Sequence, residues 1–277
     1  MHFNRTINIK GEILDLSLPR VMGIINITPD SFFSGSRKNS IKEVLKTAER
    51  MLLEGATFLD VGGYSSRPGA QDILESEELN RIIEPIKAIT KEFPKAILSI
   101  DTFRSKIARE GVNAGAKMIN DISGGNLDER MLKTIVELDV PYIAMHMRGT
   151  PQTMTRLTNY DDILKEVVEY FSNVIRNCND LGVKDVIIDP GFGFSKTVDQ
   201  SFRLLKDLEY FRWLERPLLV GVSRKSMIYR TLNVKAEEAL NGTSVLNTLA
   251  LFRGARILRV HDVKEAIETV KLVNQLK

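Results

Sequence analysis

VMGIIN (21–26) is apolar without a break until it closes on an amide. That is how a parallel strand buried on both faces reads when it ends at a polar surface. AILSID (96–101), DVIIDP (185–190) and PLLVGV (217–222) repeat the pattern. Working outward from them, eight apolar runs end at Asn26, Asp60, Asp101, Asn120, His146, Asp189, Arg224-Lys225 and Arg259-His261, with helix-like sequence usually following. This alternation predicts the α/β class and a single (β/α)8 TIM barrel over residues 1–277, a length that suits the ~250 residues such barrels need. INIKGEILDLS (7–17) alternates around Lys10-Gly11 and predicts an N-terminal β-hairpin, within residues 1–18, closing the barrel floor.

Helix signals fall where a barrel needs them. Ser40 with Glu43 reads as a capping box; Ile41, Val44, Leu45, Ala48, Met51 and Leu52 form one apolar face; Gly55 reads as a stop. Pro85 predicts a kink or break. The connections after Asn26 and Asp60, residues 28–39 and 62–74, exceed the usual span of about 2–6 residues for such loops. Both fall on the expected catalytic face.

Composition narrows the chemistry. With 39 basic and 36 acidic residues the net charge is +3 and no run is densely basic, which disfavours nucleic acid and membrane surfaces as partners. MHFNRTINIK (1–10) lacks the apolar stretch of a secretory leader, and no apolar run approaches the ~18 residues of a bilayer span, so a cytoplasmic protein is expected. Cys178 is the only cysteine and falls on a helical apolar stripe with Val167, Phe171 and Val174, which predicts core packing. Three histidines, at 2, 146 and 261, leave zinc short of ligands; a required metal should be a hard cation such as Mg²⁺.

Asp101, Asn120 and Asp189 close three different strands and can face one cup. Carboxylates that accept paired hydrogen bonds, beside an amide that donates and accepts, suit a flat heterocycle with an amino group next to a ring N–H, such as a guanine-like or pterin ring. Each could instead cap its following helix. GVSRKS (221–226) and RVHDV (259–263) place Arg224, Lys225, Arg259 and His261 at strands seven and eight, a frequent phosphate site in barrels. Acids are expected deep in the cup and cations at its lip. Asn26 offers an oxygen to a metal held mainly by diphosphate. DPGFGFSK (189–196) should be a tight turn presenting Phe192 or Phe194 to the cup, and His146 is expected to pack or bond locally.

MGIINITPDSF (22–32), GGYSSRPGA (62–70), SIDTFR (99–104), INDISGG (119–125), DPGFGFSK, GVSRKS and RVHDV occur in an order and spacing that resembles the dihydropteroate synthase family, from about Ile13 to the last helix. The resemblance implies a pterin-binding barrel, a sulfonamide target, that condenses 6-hydroxymethyl-7,8-dihydropterin diphosphate with 4-aminobenzoate. It implies a pterin pocket of Asp101, Asn120, Met145, Asp189, Phe194 and Lys225, and a diphosphate set of Asn26, Arg259 and His261. Asp101, Lys225, Arg259 and His261 would be catalytic, with Mg²⁺ on Asn26 and Asp30. Phe32, Ser66, Arg67, Pro68 and Ser226 would hold 4-aminobenzoate, and the protein would be a homodimer. The chain departs from the family where GGESTRPG is usual, having Tyr64 and Ser66 in place of Glu and Thr, and where FSDGG is usual, having Ser34 in place of Asp. A corrinoid-linked methyltransferase would share the pterin acids but needs neither two long loops nor a cation cluster.

Overall fold

The computed structural model describes residues 5–27, 37–66 and 70–276. Asp30, Phe32, Ser34, Arg67 and Pro68 lie outside the described residues. Thr6–Ile9 (β1) and Glu12–Asp15 (β2) pair antiparallel. Their two-residue turn has Lys10 at φ 52° and Gly11 at φ 96°, the left-handed conformation that lets so short a loop follow the strand twist. Ile7, Ile9 and Leu16 are buried against the lower barrel core, and the Asn8 N–H donates to Asp185 Oδ2 at 3.1 Å. The hairpin closes the floor, as expected.

Eight strands follow: β3 (Arg20–Asn26), β4 (Phe58–Gly62), β5 (Ile97–Asp101), β6 (Met118–Asp121), β7 (Tyr142–Met145), β8 (Val186–Asp189), β9 (Leu219–Val220) and β10 (Ile257–Val260). They form one parallel sheet in the order β8-β7-β6-β5-β4-β3-β10-β9, and a parallel bridge from Ile188 to Leu218 joins its two ends. The ring is therefore closed, with helices packed around it.

Strand alternation decides what faces the interior. Met22, Phe58, Met118, Ile143, Ile187, Leu219 and Ile257 fill the barrel above the hairpin. Their strand neighbours, among them Val21, Leu59, Ile119, Tyr142, Ile188, Val220 and Leu258, face outward into the core shared with the helices. Two residues along, the next inward positions are Ile24, Asp60, Asn120, Met145, Asp189, Gly221 and Arg259. Asn26, Gly62 and Asp101 lie one step further up. The interior thus changes from wholly apolar to largely polar within a single strand repeat, which puts a polar cup at the strands' C-terminal ends.

Local readings differ from the structure in three places. Asp60 does not end its strand; β4 continues to Gly62. The first helix, Arg37–Leu53, begins three residues before Ser40, so the Ser40–Glu43 pattern falls within it. Of the kink or break expected at Pro85, the break does not occur: the helix Glu75–Glu92 runs through it. Pro85 is buried on the same face as Ile82, Ile86 and Ile89, and packing of that face outweighs one missing donor. Gly55 stops the first helix as expected, at φ 104°, with the Ala56 N–H donating to Met51 O at 2.9 Å. Cys178 is wholly buried on the helix Ile163–Leu181, and burial pushes its thiol up to about 12, so it is packing, not chemistry. Among the described residues no helix is long and apolar enough to cross a membrane.

Candidate active site

Three strands meet at one guanidinium. Arg259, from β10, donates from Nε to Asp60 Oδ2 at 2.7 Å and from Nη2 to Asp101 Oδ2 at 2.6 Å. Asn120 Nδ2 donates to the same Asp60 oxygen at 2.9 Å. Asp60 is fully buried, and among the described residues its Oδ1 has no hydrogen-bond partner. Burial raises the Asp101 carboxyl to about 7; Arg259 opposes the shift, and Asp60 adds to it as a second carboxylate on the same cation. Arg259 is therefore not at the lip, where the sequence pattern placed it. Its guanidinium lies among the acids, because position 259 is the second inward position of its strand.

Asp121, next to Asn120, faces the opposite way and has a different task. Its carboxylate accepts from the Ser123 N–H and Oγ at 2.7 Å each, the Gly125 N–H at 2.8 Å and the Tyr142 hydroxyl at 2.7 Å. An acid with four donors is a fixed strut. Asn120 is the member of the pair left to the cup.

On the other side of the cup Asp189 Oδ1 accepts the Gly191 N–H at 2.8 Å. Burial raises the Asp189 carboxyl while the Lys225 charge pulls it down. Lys225 Nζ donates to Phe192 O at 2.7 Å and lies 4.8 Å from the Phe194 ring centroid. Burial lowers its ammonium to about 8, against the pull of Asp189. The DPGFGFSK turn is held from within by Lys196, whose Nζ donates to Gly191 O at 3.0 Å and Phe194 O at 2.9 Å and meets His146 Nδ1 at 2.7 Å. His146 is buried in that contact, which matches its expected local role. Phe194 faces an apolar wall of Ile122, Met145, Met147 and Met154, whereas Phe192 turns outward into the core around the barrel. Gly191 has φ 68°, and a Cβ there would lie 2.2 Å from the His146 carbonyl oxygen. We therefore expect Gly191→Ala to destabilise the fold by at least about 1–3 kcal/mol and to misplace Asp189; denaturant melts together with pterin titrations check both effects.

His261 Nδ1 meets Ser223 Oγ at 3.0 Å. Arg224, grouped by sequence with the phosphate cations, instead forms a fork to Asp262, Nε to Oδ2 at 2.9 Å and Nη2 to Oδ1 at 2.6 Å. It ties the β9 and β10 loops together. Ser226 opens the helix Ser226–Leu232 directly after Lys225, and Ser66 is half-buried at the start of the second loop. Asn26 is exposed at the top of β3. Among the described residues no three His, Cys, Asp or Glu stand together as a metal cage. A single hard oxygen from Asn26 suits a Mg²⁺ that a diphosphate itself carries.

The profile of the pterin binding enzyme family matches residues 22–261. The dihydropteroate synthase of Escherichia coli (strain K12) is 43% identical over 266 residues, covering 95% of this chain and 94% of its own. The chain belongs to the dihydropteroate synthase family. The structures of dihydropteroate synthases agree with it closely: that of Yersinia pestis, in a sulfonamide drug complex, has TM-score 0.91 at 39% identity with 98% of both chains covered. That of Xanthomonas albilineans, with 4-aminobenzoic acid, has TM-score 0.90 at 35% identity with the same coverage. Dihydropteroate synthases are transferases of folate synthesis, and this barrel is one of them.

Sequence reading named Asp60 as a strand end and gave it no role. The available signal was the period of two: Phe58 fills the lower barrel, so Asp60 must point the same way. It is the anchor on which Arg259 and Asn120 converge.

Proposed function

We propose that this dihydropteroate synthase binds the pterin ring between Asp101, Asn120 and Asp189, with Met145 and Phe194 against its face and Lys225 at its edge. The observation that carries this reading is the single polar cluster at the barrel mouth, in which one amide, three carboxylates and two cations replace the apolar filling below. Asn26, His261 and Arg259 meet the diphosphate. Because Arg259 directs Nε and Nη2 to acids, it reaches a phosphate oxygen through its remaining donors or by exchanging Asp101 for the anion. Ser66 and Ser226, with Phe32, Arg67 and Pro68 from outside the described residues, hold 4-aminobenzoate.

The bond from the pterin methylene carbon to diphosphate breaks first, and its electron pair leaves on the diphosphate. Asp101 offsets the positive charge that develops on the pterin, and Arg259 and His261 offset the negative charge on the leaving oxygen. The aniline nitrogen then forms the C–N bond with its own lone pair and loses a proton. A neutral aniline is nucleophilic, so no histidine base is demanded. Mg²⁺ bound through Asn26 and Asp30 would neutralise charge on the diphosphate. Formation of 7,8-dihydropteroate and diphosphate from the two substrates, with and without Mg²⁺, tests the reading; pterin binding without product would defeat it.

The pH profile follows from two shifted groups. Asp101 must be ionised, so kcat/KM should fall as pH drops through about 7. Lys225 must keep its proton, so it should fall again as pH rises through about 8. A narrow bell is expected in initial rates between pH 5.5 and 9.5, and Asp101→Asn should remove its acid limb.

A second copy of the chain is proposed as partner. Val245, Leu249 and Phe252 are about half exposed on one face of the helix Leu240–Phe252, at a spacing that makes a continuous apolar stripe. Such a stripe suits a homodimer through the late helices, which light scattering reads directly.

A further inference from the structure

Inside the DPGFGFSK turn lies a buried cation that the reaction does not touch. Lys196 is 7% exposed, where a lysine is rarely found without compensation. Its Nζ donates to Gly191 O at 3.0 Å, to Phe194 O at 2.9 Å and, at greater length, to His146 O at 3.3 Å, and it meets His146 Nδ1 at 2.7 Å. Burial, with the charges of Lys196 and Arg148, pushes the His146 imidazole well below its usual range, so the ring is neutral and Nδ1 accepts. Burial also lowers the Lys196 ammonium, whereas the charge of Asp189 favours it. Four acceptors surround this nitrogen, and an ammonium has three hydrogens to share among them.

The turn around it has an unfavourable backbone. Gly191, Gly193 and Ser195 have φ 68°, 77° and 47°, so three of five consecutive residues are left-handed, and Ser195 carries a side chain there. Ser195 is buried and tied on several sides. Its Oγ donates to Phe194 O at 2.8 Å and accepts the Arg148 N–H at 3.0 Å; the Tyr160 hydroxyl donates to its carbonyl oxygen at 3.0 Å and lies 3.3 Å from Oγ. His146 directly follows Met145 at the end of β7, and its N–H donates to Asp189 O at 2.9 Å. The ends of β7 and β8 are thus fastened together, with the Lys196 ammonium between them.

Three groups of the cup depend on this turn. Asp189 Oδ1 accepts the N–H of Gly191, whose carbonyl rests on Lys196. Lys225 Nζ donates to Phe192 O, between the two carbonyls that Lys196 holds. The Phe194 ring packs in the wall that includes Met145, while its carbonyl also rests on Lys196. We propose that Lys196 is a positioning residue for the pterin: by gathering the Gly191 and Phe194 carbonyls and the His146 imidazole around one charge, it sets Asp189, Lys225 and Phe194 in place before the ring arrives. The inference rests on the function proposed above, which puts those three groups on the pterin. Preorganisation of this kind benefits affinity for the ligand concerned, and the 4-aminobenzoate pocket is built on other loops.

Lys196→Met tests it in the full-length chain, since methionine keeps an unbranched stem and removes the charge and every donor. Calorimetric titration with 6-hydroxymethyl-7,8-dihydropterin diphosphate should show affinity falling about 10- to 100-fold, the value of a hydrogen bond to a charged group. KM for the pterin diphosphate should rise in step, and KM for 4-aminobenzoate at saturating pterin diphosphate should stay unchanged. A lysine that merely stabilised the fold would lower the melting temperature and the active fraction without changing pterin affinity; that result, or equal losses toward both substrates, would overturn the proposal. Should Lys196→Met not fold, His146→Leu removes a single acceptor and should weaken pterin binding about threefold to tenfold, and His146→Gln, which retains an acceptor, should recover most of it. Equal affinities in those two variants would overturn it as well. If the unaltered chain bound the pterin diphosphate but formed no dihydropteroate, the reaction would fall while the titrations still decided the role of Lys196; no binding by the unaltered chain would end both.

Discussion

Asp101→Asn should lower kcat/KM for the pterin diphosphate by about 100- to 1000-fold, the loss typical when one preorganised charge-stabilising group is removed from a transition state. The substitution keeps shape and leaves Arg259 on Asp60, so the fold should melt within a few degrees of the unaltered chain. The kinetic loss should fall mainly on kcat, since the carboxylate's charge matters most once diphosphate is departing. Steady-state rates with both substrates, together with a melting curve, separate the two effects. Near-normal turnover would show that positive charge does not develop beside Asp101.

Arg259→Ala carries the second large effect, and it is double. Asp60 is fully buried and shares Arg259 with Asp101. Removing the cation strands two carboxylates, and breaking a buried pair in this way costs about 3–5 kcal/mol. Activity should fall at least as far as in Asp101→Asn, because the leaving group loses its guanidinium too. Combining Arg259→Leu with Asp60→Asn should restore much of the stability and none of the activity. Urea melts and initial rates on both proteins would check it. If the single variant were as stable as the unaltered chain, the buried ion cluster would not be the strut described here.

The barrel was legible because burial on both faces leaves its mark on composition. VMGIIN and DVIIDP could hardly be anything but interior strands, and the Lys10-Gly11 turn announced the floor hairpin. The polar residues at strand ends were legible for the same reason: they interrupt otherwise apolar runs. Partner choice was not. Arg224 and Arg259 both stand near the ends of adjacent strands, yet one pairs with Asp262 outside the cup and the other with Asp60 and Asp101 within it. Arg224 sits at φ 55° beyond its strand, whereas Arg259 is inside β10 and must follow its alternation. Distance along a chain does not reveal that difference; strand register does.

A crystal structure of the protein with the pterin diphosphate tests the central claim most directly. The ring's amino edge should lie within hydrogen-bond reach of Asp101, Asn120 and Asp189, with Lys225 beside it and the diphosphate toward Asn26 and His261. A ring bound outside the barrel mouth, or one in the cup that leaves those three side chains uncontacted, would contradict it.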